Sequence, residues 1–207
     1  EVGSAPENDS PILGHFPPPN HGKTMNITVR HGEVQKARDE TIVVNLFEDV
    51  DSLAGATAAV DKASGGQIRR VRDSGDFTGV LGTTILLYPE DRRKIAAKRI
   101  IIAGLGKKGS FDQENARRAS AAVARRLQAM GIEQATSIVH GAGVGSLDVE
   151  IAAQALVEAA ILATYRFDQY LSKAPKGATP LKKLTIVEAD AKRLASVRRG
   201  AKAGQQI

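Results

Sequence analysis

Gly104-Leu-Gly106-Lys-Lys-Gly109 spells G-x-G-x-x-G between an apolar run and a helical pattern. With that spacing, backbone N–H groups can cradle a pyrophosphate at a helix N-terminus. The surrounding sequence opposes this chemistry. The helical pattern starts near Asp112, after the third glycine, and the next strand-like run closes on His140-Gly141 with no acid there for a ribose hydroxyl. The glycines therefore read as a tight strand-to-helix turn. A second glycine loop, Gly141-Ala-Gly-Val-Gly145-Ser146, follows a strand-like run. It would lie at the carboxyl edge of a sheet, where open α/β folds hold ligands, but it has no Lys or Arg to anchor a phosphate.

Other chemistries find less support. The four histidines are His15 and His21 in the N-terminal tail, His31 in a loop and His140 at a strand end, and none stands in a His-x-x-x-His pair. The chain has no cysteine, which removes disulfides, thiolate zinc sites and cysteine nucleophiles and fits a reducing cytoplasm. Ser110, Ser120 and Ser146 lack a G-x-S-x-G elbow. Glu48, Asp49 and Asp51 sit where a strand hands over to a helix, a place for capping more than for acid/base catalysis. None of these patterns by itself singles out a catalytic, cofactor-binding or metal-binding residue.

One charged pattern could meet a polyanion. Arg117, Arg118, Arg125 and Arg126 punctuate an alanine-rich helix, and the seven-residue step from 118 to 125 puts those two on one face. No aromatic residue is interleaved to stack on bases, so a solvated or interface face competes with a nucleic-acid surface. The net charge is +6, from 29 basic and 23 acidic residues. The first 24 residues hold one lysine and three acids (Glu1, Glu7 and Asp9), so the basic excess belongs to the rest.

The elements that must position these groups alternate β and α. Residues 1–24 carry five of the eight prolines and read as a disordered tail, with Met25 as a candidate natural start. Strands are expected at 26–30, 41–47, 82–88, 98–103, 135–140 and 183–187, the third and fourth pairing as neighbours. Helices are expected over 53–63, ended by Gly65-Gly66, over 112–130, and over about 148–171, the last nearly apolar all round. That helix belongs inside, against the sheet, and no run reaches a membrane span. A linker over 175–180 precedes the last strand, and Asp190 is placed as N-cap of a final helix with no evident end. The alternation predicts a three-layer α/β/α sandwich around a mainly parallel, mixed sheet in one domain over 25–189.

Thr41-Ile-Val-Val-Asn-Leu-Phe-Glu48, the run Leu53–Ala63, Ser74-Gly-Asp-Phe-Thr-Gly79, Arg99-Ile-Ile-Ile-Ala-Gly-Leu-Gly-Lys107 and Tyr165-Arg-Phe-Asp-Gln-Tyr170 stand in this order. The ordered set resembles the N-terminal domain of the cytosolic leucyl aminopeptidase family. The resemblance covers about residues 26–190 and implies a macrodomain-like module, in which a strand ending in Gly-Leu-Gly-Lys is habitual. It implies a separate catalytic domain, holding two divalent metals, zinc or manganese, that releases N-terminal amino acids from peptides. That domain, with its metal-binding Lys, Asp and Glu residues, lies outside this chain, which is thus expected to be a fragment or a free-standing domain without a catalytic or metal role of its own. The implied partners are that catalytic domain and a cytoplasmic homo-hexamer. Residues 190–207 would start the connector, with Leu194, Val197 and Ala201 exposed and prone to self-association.

Two other functions are compatible with the residues. Some bacterial members of the family bind DNA, for which Arg117, Arg118, Arg125 and Arg126 are the candidate surface. The macrodomain-like layout also suggests an ADP-ribose-type binder, with His31-Gly-Glu-Val34 and Asn45 at the nucleotide edge. Against it, the usual Asn-Ala-Ala-Asn run is replaced by Asn45-Leu-Phe-Glu48, and the triple-glycine loop by Leu53-Ala-Gly-Ala56. Phe47 and Glu48 would then crowd a diphosphate.

Overall fold

Alternation along Thr41–Leu46 (β2) sends Ile42, Val44 and Leu46 into one apolar layer and Val43 into the other. Such a strand is covered on both faces. The computed structural model describes residues 25–142, 147–164 and 180–207. The expected tail, most of the second glycine loop, the Tyr165–Tyr170 block and nearly all of the 175–180 linker lie outside them.

Six strands form one sheet: Asn26–His31 (β1), β2, Thr84–Leu87 (β3), Arg99–Gly104 (β4), Gln134–Ser137 (β5) and Lys183–Glu188 (β6). The order is β1-β6-β5-β2-β4-β3, and only β3 runs antiparallel, against β4. The expected pairing of the third and fourth strands is therefore present. On one face lie the helices Gly55–Ala63 (α1) and Gln67–Asp73 (α2). On the other lie Gln113–Ala129 (α3), Val149–Thr164 (α4) and Leu194–Gly204 (α5). The α/β/α sandwich with a mixed sheet follows as expected.

Local chemistry accounts for most boundaries. Asp112 caps α3 by accepting the N–H of Asn115 at 2.8 Å, and Gly131 (φ 67°) ends the chain's path beyond it. Alanines at 152, 153, 155, 159 and 160 bury α4 against its neighbours.

Four expectations need correction. The sequence suggested no helix after Gly65-Gly66, yet α2 starts at once. Gly66 offers it no capping side chain, and the buried Asp61 of α1 accepts the Arg69 N–H at 2.9 Å instead. The fifth strand stops at Ser137, where its ladder with β6 ends, and a turn begins at His140. His31 ends β1 and does not sit in a loop. Asp190 is not the cap of α5: it accepts the Lys192 N–H at 2.9 Å in a preceding turn, and the helix begins at Leu194.

The final helix also departs from expectation. Val197 and Ala201 are buried within this chain, and Leu194 is half-buried, so the stripe does not wait for another partner. Gly200 and Gly204 let α5 press onto α4: a methyl group at 200 would overlap the Glu150 carbonyl, and one at 204 would come within 2.7 Å of the Gln154 carbonyl. The self-association predicted from that stripe loses its basis.

Candidate functional site

The parallel order brings the carboxyl ends of β1, β6, β5 and β2 to one edge, and a cleft of about 510 Å³ opens there. Open α/β sheets hold ligands at this edge, where strand connections diverge. Small residues such as Gly32, Gly55, Gly141, Ala56 and Ala142 line it, which exposes main-chain groups, while Val34, Ile138 and Val187 supply apolar wall. Asn45 enters from the end of β2.

Two ends of the cleft differ in polarity. At one, α1 begins: Ala54 supplies no capping side chain, so the first-turn amides have no side-chain acceptor, and Gly55 takes the left-handed φ of 52°. Thr57 donates its hydroxyl to the Asn45 main-chain oxygen at 2.8 Å, which ties α1 to β2. At the other end stand Glu33, Glu188, Asp190 and Arg193. Lys36 pairs with Glu33 at 2.9 Å, Glu188 accepts the Asp190 N–H at 2.8 Å, and Arg193 approaches Asp190 at 3.6 Å. His31 Nε2 lies 3.0 Å from the Ala189 carbonyl, closing β1 onto the segment after β6.

His140 sits behind Asn45. It is 1% exposed, its Nδ1 is 3.5 Å from Asn45 Nδ2, and burial pushes its pKa down to about 4. Gly141 (φ 77°) packs so tightly on Phe111 that a methyl group there would overlap the ring.

The remaining sequence candidates separate. Gly104 and Gly106 serve close packing: a methyl group at 104 would overlap the Val80 carbonyl, and Gly106 exchanges main-chain bonds with Gly79 and Glu48 at 2.8 and 2.9 Å. Helix α3 starts only at Gln113, so the G-x-G-x-x-G run is a turn. Asp49 secures it by accepting the Lys108 N–H at 2.7 Å. Phe47 is buried edge-to-face on Phe111, with ring centroids 5.2 Å apart, and neither Phe47 nor Glu48 lines the cleft. The expected crowding of a diphosphate by these two is therefore absent. Ser120 gives its hydroxyl to the Ala116 carbonyl, and Ser110 to that of Lys107. Among the described residues no three His, Asp or Glu side chains gather as a metal site.

On α3, Arg118, Arg125 and Arg126 are exposed, whereas Arg117 is half-buried and bonded to Glu158 on α4 at 2.9 Å. The structure thus parts Arg117 from the other three. Sequence reasoning missed Glu188, Asp190 and Arg193 as cleft residues. Their position at and just after the carboxyl end of β6, read with the parallel order, was the available signal.

The sheet order, the three layers and the cleft at the carboxyl edge define a macrodomain-like α/β/α module. A Trypanosoma brucei macrodomain in complex with ADP-ribose superposes with a TM-score of 0.64 at 13% identity, covering 84% of this chain and 68% of that one. A tomato leucine aminopeptidase mutant gives 0.67 at 14% identity over 87% of this chain and 35% of its own. The bottromycin maturation enzyme BotP in complex with Mn gives 0.53 at 22% identity, over 79% of this chain and 30% of its own. These likenesses show the fold. Residues 43–174, more than half of the chain, match the model of the cytosol aminopeptidase family, N-terminal domain, and the chain belongs to that family. The probable cytosol aminopeptidase of Nitrosococcus oceani is 31% identical over 183 residues, 88% of this chain and 36% of that protein. The chain spans about a third of the length of the curated relatives it matches. No helix among the described residues is long and apolar enough to cross a membrane.

Proposed function

We propose that this domain is the non-catalytic N-terminal part of a cytoplasmic, metal-dependent aminopeptidase and that it helps hold a homo-hexamer together. The observation that carries the reading is the family match over 43–174 in a chain that spans about a third of its relatives' length. In this reading the two divalent metals, zinc or manganese, and the groups that bind them belong to a catalytic domain outside this chain. The test is hydrolysis of leucine p-nitroanilide by the chain alone with added Mn²⁺ or Zn²⁺. No release above background is expected, and metal-dependent turnover by this chain would overturn the reading. Light scattering on the chain and on a version joined to its catalytic domain tests the assembly role. A hexamer of the joined protein that survives deletion of residues 25–207 removes that role.

A second reading concerns the cleft. Its volume of about 510 Å³ suits a nucleotide-sized ligand, and it opens at the carboxyl edge of a macrodomain-like sheet. The Trypanosoma brucei macrodomain with this fold was solved with ADP-ribose. Calorimetry with ADP-ribose is expected to give saturable heat, and its absence at millimolar ligand would close this option. A third reading, duplex DNA on α3, draws on the exposed Arg118, Arg125 and Arg126.

A further inference from the structure

The one fully buried imidazole of the described residues lies beside the cleft and meets the side chain of Asn45, which lines it. His140 is 1% exposed, among Ser120 and Leu127 of α3, Leu156 and Ala160 of α4, Leu184 of β6 and Ser137 of β5. None of these side chains is titratable. The two hydroxyls donate elsewhere, Ser120 to the Ala116 carbonyl at 2.7 Å and Ser137 to the Ile138 carbonyl at 2.9 Å, so neither offers its hydrogen to the ring. A leucine would fill such surroundings without desolvating a polar ring. The ring therefore needs another reason, and its polar contact supplies one.

Asn45 Nδ2 lies 3.5 Å from His140 Nδ1. An amide nitrogen can only donate, so Nδ1 must carry the lone pair and the ring proton must sit on Nε2. With one amide hydrogen turned toward His140 and its main-chain oxygen accepting from Thr57 at 2.8 Å, Asn45 keeps its side-chain oxygen as the acceptor it can offer the cleft. The tight seat of Gly141 on Phe111 pins the main chain next to His140.

We infer that His140 is a positioning residue for the cleft: by accepting from the Asn45 amide at Nδ1, it presents the Asn45 oxygen as an acceptor for a hydroxyl or amino group of a bound ligand. This inference rests on the cleft reading above and deepens it. Burial keeps the imidazole neutral, with a pKa of about 4, so that Nδ1 stays an acceptor at physiological pH. A sugar hydroxyl matches such an oxygen, and an anionic group does not.

The experiment has two arms on the full chain. Nitrogen-15 NMR of the imidazole, without ligand, should show the neutral ring protonated at Nε2 at pH 6 to 7.5. An Nδ1–H tautomer, or an imidazolium, overturns the inference. Calorimetry with ADP-ribose then compares the natural chain with His140→Leu and His140→Gln, their melting temperatures serving as a check on folding. Leu at 140 should weaken binding about three- to tenfold, the size of one lost hydrogen bond, and Gln, whose carbonyl can accept from Asn45, should restore most of it. Heat from the natural chain with equal affinity in the Leu variant overturns the role of His140 and leaves the cleft reading standing. No heat from the natural chain overturns the cleft reading and this inference together. Should the Leu variant fail to fold, the tautomer and the Gln variant decide.

Discussion

Arg117 on α3 donates from Nε to Glu158 on α4 across 2.9 Å, where the carboxylate is 8% exposed and also receives the Gln154 amide at 2.7 Å. The pair makes Arg117 part of the packing between two helices that share one face of the sheet. Removing the arginine leaves a nearly buried carboxylate with a single donor. Arg117→Ala should therefore destabilise the domain by about 1–2 kcal/mol, discounted because the arginine itself is partly solvated. The double variant Arg117→Ala, Glu158→Leu should regain most of that loss. Urea unfolding of the three proteins checks both statements.

Gly200 sets the approach of α5 to α4. Gly200→Ala drives a methyl group into the Glu150 carbonyl, main chain that cannot yield cheaply, and should cost roughly 2–3 kcal/mol or more. Lys202→Ala, on the exposed side of the same helix, should leave the melting temperature nearly unchanged. Equal melting temperatures for the natural chain and Gly200→Ala would show that α5 does not seat as described.

Acid should unfold this protein in a window set by His140. Its folded pKa is about 4 against 6.5 for a free histidine, so the unfolded chain takes up a proton first as pH falls. The contribution is complete above pH 6.5, declines from there toward pH 4, and levels off below, for a total of roughly 3 kcal/mol. Unfolding free energies measured at intervals from pH 7.5 to 4 should follow this slope, and His140→Gln should flatten it.

The exposed arginines of α3 predict a salt-dependent affinity for duplex DNA. Gel retardation at low salt should weaken steeply as salt rises, and replacing Arg118, Arg125 and Arg126 with Ala together should abolish it without lowering stability. Arg117→Ala is the contrasting variant, because it should lower stability more than DNA binding. A chain that retards no duplex at about 50 mM salt would remove DNA from its partners.

Much of the fold was legible in the chain because its signals are local. Short continuous runs of Val and Ile marked β2 and β4, Asp112 marked the start of α3, and the alanine-rich stretch after Asp148 marked a buried helix. Helix α2 escaped because its cap, Asp61, reaches it from α1, and a cap from another element leaves no mark beside the glycine it serves. The false fingerprint at Gly104 was recognisable from where α3 starts, but the reason for glycine there, the Val80 carbonyl, comes from a loop more than twenty residues earlier.

The ordered sequence blocks, the basic excess and the layered architecture follow from composition, periodicity and local chemistry, each of which acts within a few residues. The cleft does not, since its walls come from β1, β6, β5 and β2, far apart in the chain and adjacent only once the strands have ordered themselves. The same holds for Asn45 and His140, 95 positions apart, and for Arg117, whose charge looked like surface until α4 brought Glu158 beside it. Burial and pairing between distant residues are properties of packing, and packing is decided when helices and sheet close on one another.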